Sequence, residues 1–422
     1  MSDVLTPVLV AGYGRSGTTA LMALLGTDSR VALDRFYPFE NRYLTYLAKF
    51  ALLAGRSGAS PYLDPVQMCE YDDDCFGPVP WPTQMAARGD PPLQLPPAEW
   101  LAGMWQTFST AVKRRHPSAT HYAEKVPAWM PAVVRAVLPC RTIYLVRDPR
   151  DVFLSARDFA QTGNAAGFGS GGDMDRARHT AHGLVLFAEN ERTDRGRQDT
   201  VRVRYEDWVK RPGEVAGTLA TLAGLKLSPD AAAVSRHFDV HKTSADAGSS
   251  VDRWRREELP DKVRACLESH LLGPMTDYGY ELPASTRPAT AVVPDSSMRC
   301  SADGTIQRGK SSATVTVTGS DFWVELPAAT IGAYDVAEVW VCVRGDTGDH
   351  CSLYWRGPRQ SFGEDRRLHV RFRPSPHRQV LRFRVGGHRL WRGKIEQLRV
   401  DLFNGAVTPG MGGEVRWVRL VA

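Results

Sequence analysis

Seven cysteines in 422 residues (Cys69, Cys75, Cys140, Cys266, Cys300, Cys342, Cys351) form no CxxC pair and no regular spacing, an odd and scattered set. That pattern argues against a disulfide framework and a zinc site and for reduced thiols. Long apolar runs are missing too: those present, such as Phe50-Ala51-Leu52-Leu53-Ala54, fall far short of the ~20 residues a membrane span requires. Met1-Ser2-Asp3-Val4 carries no basic stretch of the kind that begins a secretion signal. A cytoplasmic location with no membrane span is expected. No internal repeat and no low-complexity tract is present. The net charge of +6 has no source in residues 1–299, where 35 Lys and Arg balance 35 Asp and Glu; residues 300–422 hold 18 against 12. Charge therefore bears on the C-terminal part alone.

What is present is length and ordinary globular composition, 43% hydrophobic and 24% charged, enough for a packed chain of two domains. The first half alternates apolar, β-branched runs with helical stretches. Val8 to Ala11 reads as a strand ending at glycine and Thr18 to Leu25 as a helix. Thr142 to Val146 is a second strand before a helical Asp151 to Gln161, and Thr200 to Arg204 a third before a helical Pro212 to Leu225. This alternation predicts an α/β fold, a P-loop-like parallel sheet flanked by helices, with ligands at the C-terminal ends of its strands. Residues 57–97, rich in Gly, Pro and Asp, read as a long surface insertion. Residues 283–300 concentrate Pro, Ser, Thr and Ala and are expected as a linker. Short alternating segments follow: 314–318, 336–344, 369–373, 379–385, 395–402 and 415–421. They predict an all-β antiparallel sandwich. The expected domains are thus 1–282 and 301–422, joined by 283–300.

Gly12-Tyr13-Gly14-Arg15-Ser16-Gly17-Thr18-Thr19 lies between the first strand and its helix. There, successive backbone N–H groups and a helix N-terminus together can hold a phosphate. The spacing is GxxxxG, but Thr18 stands where a Walker loop puts its lysine, which speaks against an ATPase or kinase. A cation appears three positions earlier, at Arg15. The segment Arg15-Ser16-Gly17-Thr18-Thr19 resembles the 5′-phosphosulfate loop of the sulfotransferase family, in which Lys or Arg precedes Ser-Gly-Thr-Thr. The resemblance implies that Gly14, Arg15, Ser16, Gly17, Thr18 and Thr19 grip the 5′-phosphosulfate of 3′-phosphoadenosine 5′-phosphosulfate (PAPS).

Arg147-Asp148-Pro149-Arg150-Asp151-Val152-Phe153-Leu154-Ser155 follows the second strand. A guanidinium with a hydroxyl two turns along a helix suits a dianionic phosphate. The pattern resembles the family's 3′-phosphate site, which assigns Arg147 and Ser155 to that group. Tyr205-Glu206-Asp207-Trp208 is similar to the family's Tyr-Glu-Asp-Leu segment and implies that Tyr205 lies near adenine. Ser250 to Arg255 resembles the late basic segment that closes over the nucleotide, with Arg253 a further phosphate contact. The resemblance covers residues 5–282 and implies no metal.

Sulfuryl transfer relies on in-line positioning and on cations facing developing charge, by analogy with phosphoryl transfer. Lys125, in Ala123-Glu124-Lys125-Val126-Pro127, resembles the family lysine that neutralises the leaving side. Where many members carry a histidine base just after this lysine, Val126-Pro127-Ala128-Trp129 stands instead. The departure points to the variant with a carboxylate base. Glu40 occupies the corresponding place, among Phe36, Tyr37, Phe39 and Tyr43, which favour a raised pKa; Glu124 is the second choice.

In His369-Val370-Arg371-Phe372-Arg373 and Leu381-Arg382-Phe383-Arg384-Val385, arginine alternates with apolar residues. Both segments are expected to turn their arginines outward as one basic face. Trp391-Arg392-Gly393 and the strand after it look like jelly-roll sandwiches appended to carbohydrate-active enzymes. The acceptor implied is therefore a hydroxyl on a glycan or glycolipid, with no nucleic-acid partner. Two other readings stay open: a nucleotide phosphotransferase on the same core, and a catalytically idle glycan-binding protein.

Overall fold

The computed structural model describes residues 4–33, 39, 42–54, 97–161, 171–229, 248–286, 291–292, 297–309, 312–326, 331–345, 350–371, 375–404 and 409–422. Two compact units result, Met1–Thr286 and Arg287–Ala422. In the first, the elements run β1 (Thr6–Gly12), α1 (Thr18–Leu25), β2 (Val31–Ala32), α2 (Tyr43–Ala54), α3 (Pro97–Arg115), β3 (His121–Val126), α4 (Met130–Arg135) and β4 (Arg141–Val146). They continue with α5 (Pro149–Gln161), α6 (Asp173–Asp194), β5 (Thr200–Arg204), α7 (Tyr205–Lys210), α8 (Pro212–Ala223) and α9 (Asp261–Asp277).

The five strands form one parallel sheet in the order β2-β3-β1-β4-β5. Strands buried on both faces read as continuous apolar runs. The interior of β1, Val8 to Ala11, is fully buried, as is Ile143 to Val146 of β4. The chain leaves β1 for β3 on one side and returns to β4 on the other, so the crevice beyond the ends of β1 and β4 is the topological switch point where ligands of such sheets sit. Helix α3 is lashed to the start of β1. Trp105 donates from Nε1 to the Leu5 carbonyl at 2.9 Å, and Ser109 Oγ accepts from the Leu5 N–H at 3.2 Å. The expected segments coincide with β1, α1, β4, β5 and α8; α5 begins two residues earlier than expected, at Pro149, whose fixed φ suits a first helical turn. The expected insertion, residues 57–97, lies almost wholly outside the described residues.

The second unit contains β6 (Ala291–Val292), β7 (Arg299–Cys300), β8 (Gly304–Arg308), β9 (Ala313–Val317), β10 (Val324–Glu325), β11 (Ile331–Gly332), β12 (Glu338–Gly345) and β13 (His350–Arg356). It closes with β14 (Arg367–Arg371), β15 (Ser375–Phe383), β16 (Lys394–Ile395), β17 (Gln397–Asn404) and β18 (Gly412–Val421). Its antiparallel sheets are β14-β13-β17-β10-β7 and β15-β12-β18-β9-β8, with a β11-β16 pair. Val339, Val341, Phe383, Leu353, Trp355 and Val400 from both sheets fill one core.

Two expectations need correction here. The stretch expected as a linker supplies β6, paired with β18, and β7, paired with β10, so its later part belongs to the sandwich. The two arginine-bearing segments do not share a face either, because β14 and β15 lie in different sheets. Arg382 is moreover held by Glu338 at 2.5 and 2.6 Å, and its side chain is only 10% exposed. Phe372 and Arg373 lie outside the described residues.

Candidate active site

The loop from Tyr13 to Gly17 turns with two left-handed residues, Arg15 at φ 70° and Gly17 at φ 93°. For arginine this conformation costs on the order of 1–2 kcal/mol and persists only where its surroundings enforce it. The enforcing group is Arg147 at the end of β4, which donates from Nη1 to the Arg15 carbonyl at 2.7 Å and from Nη2 to the Ser250 carbonyl at 2.6 Å. Gly17 is required for a second reason: a Cβ there would lie 2.4 Å from the Tyr205 ring. Gly17 also precedes α1 without any side-chain cap, so the first N–H groups of that helix keep their hydrogen-bonding capacity for a ligand.

The two motifs are brought together. Arg15 Nε donates to Ser155 Oγ at 3.2 Å, and the Arg15 guanidinium sits 4.5 Å above the Phe159 ring. Ser155 lies two turns into α5 and is buried. Lys125, near the end of β3, donates from Nζ to Thr19 Oγ1 at 2.8 Å. Consequently Arg15, Thr19, Lys125, Arg147 and Ser155 converge beyond the ends of three neighbouring strands. Within this cluster the buried Ser16 Oγ and Arg147 Nε have no hydrogen-bond partner among the described residues, donors of the kind a bound oxyanion satisfies. The residues thus fit a phosphosulfate nucleotide.

Alternation along β3 sends the next-door carboxylate elsewhere. Glu124 is buried, and its oxygens accept from the N–H groups of Leu44 and Thr45 at 2.7 and 2.8 Å, Thr45 Oγ1 at 2.7 Å and Tyr122 OH at 3.0 Å. Burial pushes its carboxyl up, while these donors pull it down. Among the described residues, Glu124 thus bonds the N-terminus of α2 and Tyr122. Glu40 lies outside the described residues, as do Phe36 and Tyr37; Phe39 is buried and Tyr43 exposed.

Tyr205 lies directly behind the loop after β1. Its ring is buried, packed on Gly17 and 4.6 Å from the Arg147 guanidinium, and its hydroxyl meets Ser250 Oγ at 2.7 Å. It is a post under the loop. Arg253 is buried as well, bonded to Glu257 at 2.7 and 2.8 Å and to Asp158, while its Nη1 has no partner. Burial works to lower its pKa, and the bonds to Glu257 and Asp158 outweigh that and raise it. Asp158 and Glu257 escaped notice in the sequence. Their positions, three residues after Ser155 and four after Arg253, are the only signal they leave.

The letters between Arg147 and Ser155 have architectural work. Arg150 is fully buried, bonded to Asp148 at 2.7 and 2.9 Å and to Glu268 at 3.0 Å, and stacked 3.6 Å from the Trp254 ring. Asp151 accepts from the Trp254 N–H at 3.0 Å; burial pushes its carboxyl up to about 6, with Arg147 opposing and Asp148 and Glu206 adding to the rise. Among the described residues, no group of three His, Cys, Asp or Glu side chains is placed to hold a metal ion. A shallow concavity of about 830 Å3 lined by Arg141, Arg197, Asp199 and Thr200 lies at the opposite ends of β4 and β5.

The family model for the sulfotransferase family matches residues 7–229, just over half of the chain. The chain belongs to the sulfotransferase family, whose chemistry is sulfuryl transfer. A search of curated proteins found no match. Among solved structures the chain is similar to the sulfotransferase domain from the curacin biosynthetic pathway, at 17% identity and a TM-score of 0.37 over 67% of this chain and 100% of that one. It is similar to retinol dehydratase in complex with retinol and PAP, at 18% identity and 0.35 over 66% and 83%. The sandwich is similar to the xylan-binding module CBM86 from Roseburia intestinalis, at 11% identity and 0.24 over 32% and 95%. No described helix is long and apolar enough to cross a membrane.

Proposed function

We propose that the chain moves the sulfuryl group of PAPS to a hydroxyl of a glycan or glycolipid. The observation that carries this reading is the Arg15–Ser155 contact, which joins the loop after β1 to the helix after β4. One nucleotide bearing a 5′-phosphosulfate and a 3′-phosphate spans such a pair of anion sites, whereas a triphosphate requires the lysine that Thr18 replaces. Gly14 to Thr19 and the N-terminus of α1 take the phosphosulfate; Arg147, Ser155 and Arg253 take the 3′-phosphate. Tyr205 supports the loop from below.

In the reaction, the acceptor oxygen forms a bond to sulfur as the bond from sulfur to the bridging phosphate oxygen breaks. The electron pair stays on that oxygen, giving adenosine 3′,5′-bisphosphate. Lys125 and Arg15 face the charge that develops there, and Glu40 takes the acceptor proton. No metal has a part. A sugar acceptor is supported by the composition of the sandwich and its Trp391 segment.

Calorimetry with adenosine 3′,5′-bisphosphate and AMP tests the nucleotide reading. At least tenfold tighter binding of the bisphosphate is expected, and equal affinity overturns it. Glu40→Gln is expected to keep nucleotide binding and abolish turnover; near-normal turnover removes Glu40 from the mechanism.

A further inference from the structure

Helix α6 reaches from the far end of the sheet to beyond the loop after β1. Near its C-terminus, Asp194 accepts from Tyr144 OH at 2.8 Å, and Phe187 meets the Tyr144 ring edge-on at 5.7 Å, both beside the middle of β4. Higher up, Gly183 lies against Tyr13, so closely that a Cβ on residue 183 would sit 2.2 Å from the ring. The ten residues before Gly183 therefore rise about 15 Å past the strand ends at the helical rise per residue, on the side where the Arg15 cluster lies.

Arg176, Thr180 and Gly183 fall on one stripe of that segment, at i, i+4 and i+7. Thr180 is fully buried, and its Oγ1 has no hydrogen-bond partner among the described residues. This is unusual for this protein. Thr107, Thr110, Thr193, Thr218, Thr221 and Thr276 each return their hydroxyl to the carbonyl four residues back, at 2.8 to 3.1 Å, the ordinary resort of a helical threonine. One turn away, Arg176 has a 13% exposed side chain whose buried Nε also has no partner. Its ion pair is to Asp173 Oδ1 at 3.3 Å, with the Asp173 side chain 43% exposed, a geometry in which water screens most of the attraction. Two buried donors left open one helical turn apart each carry a penalty of about 1–3 kcal/mol, which a bound group with two acceptor oxygens removes.

We propose that Arg176 and Thr180 form an acceptor subsite for a carboxylate, so that the hydroxyl acceptor is an acidic sugar. This rests on the sulfotransferase reading above and names the class of its second substrate. A planar carboxylate offers one oxygen to the Arg176 Nε–H and the other to the Thr180 hydroxyl, a charge-assisted arrangement that a neutral sugar cannot match. Gly183, one turn further along the helix, lies against the Tyr13 ring of the loop after β1.

The test is calorimetry of the full chain with 4-nitrophenyl β-D-glucuronide and with the neutral 4-nitrophenyl β-D-glucoside, each with and without adenosine 3′,5′-bisphosphate. The glucuronide is expected to bind at least tenfold more tightly. Arg176→Gln is expected to erase that preference and Thr180→Val to reduce it severalfold, both leaving the affinity for the bisphosphate unchanged. Equal binding of the two sugars, or a preference that survives in Arg176→Gln, overturns the proposal. Should Arg176→Gln not fold, Arg176→Lys keeps the charge and removes the Nε–H; an undiminished preference there has the same overturning force. A wild-type chain that ignores the bisphosphate sinks the nucleotide reading instead, while the nucleotide-free sugar titrations still decide the subsite.

Discussion

The Tyr205 ring fills the space that any side chain on residue 17 would have to enter, with ring carbons 2.4 and 2.5 Å from the Cβ position. Gly17→Ala must therefore shift the ring or the loop, and its φ of 93° adds strain. The expected outcome is a loss of about 2–4 kcal/mol by urea unfolding, from combined overpacking and backbone strain, with nucleotide binding abolished. Tyr205→Phe keeps the ring and removes only the bond to Ser250, so about 1 kcal/mol is expected.

Ser155→Ala removes one hydroxyl from the proposed 3′-phosphate side together with the acceptor of Arg15 Nε, while Arg15 keeps its place over the Phe159 ring. Calorimetry is expected to show about tenfold weaker binding of adenosine 3′,5′-bisphosphate, equivalent to ~1.4 kcal/mol, and unchanged binding of AMP. A parallel loss for both ligands would move Ser155 to the 5′ side.

Lys125→Ala is expected to lower turnover about 10²–10³-fold, the usual effect of deleting one donor that faces developing charge. Bisphosphate affinity should change far less, since Lys125 meets Thr19 at the edge of the cluster. Radiolabelled sulfate transfer measured beside calorimetry separates the two effects.

Asp151 should make the protein less stable as pH rises through the window between the ordinary carboxylate range and about 6. Its folded pKa is raised, so in that window the folded state holds more protons than the unfolded one, and stability declines with pH. Asp151→Asn is expected to flatten this slope and to add on the order of 1–3 kcal/mol at pH 7.5. Urea unfolding at pH 4.5 and 7.5 checks the sign.

In the sandwich, Glu338→Ala removes the carboxylate that the 10% exposed Arg382 donates to at 2.5 and 2.6 Å, and with it the acceptor of the 2.8 Å bond from Trp340 Nε1. Breaking such a pair from one side costs about 3–5 kcal/mol. Replacing both Glu338 and Arg382 by methionine is expected to restore most of the loss, since neither charge is then left buried.

Much of the first unit could be read from the residues because its signals are local. Val8 to Ala11 and Thr142 to Val146 are apolar runs, and Gly17 and Pro149 punctuate the helices that follow. Helix α6 escaped notice for a physical reason: Glu189, Glu191 and Asp194 are buried in it, which blurs the apolar period. The arginines that satisfy them include Arg202 from β5 and Arg135 from α4, partners that no window of sequence contains. The same holds for Arg147, whose terminal nitrogens meet carbonyls of residues 15 and 250. Strand β13 was not among the expected segments, although Cys351, Leu353 and Trp355 alternate into the core along it. The pairing of β14 and β15 with different partners depends on sheet assembly, which alternation alone does not encode.

Glu124 and Lys125 are neighbours on β3, one gripping the first turn of α2 and the other reaching Thr19. A single strand thereby sets both Lys125, the cation proposed for the leaving side, and the helix that Glu40 precedes by three residues in the sequence. Sliding β3 by a fraction of an ångström displaces both together, so selection for one geometry automatically maintains the other. Engineered changes to either partner should be scored as changes to a single mechanical part.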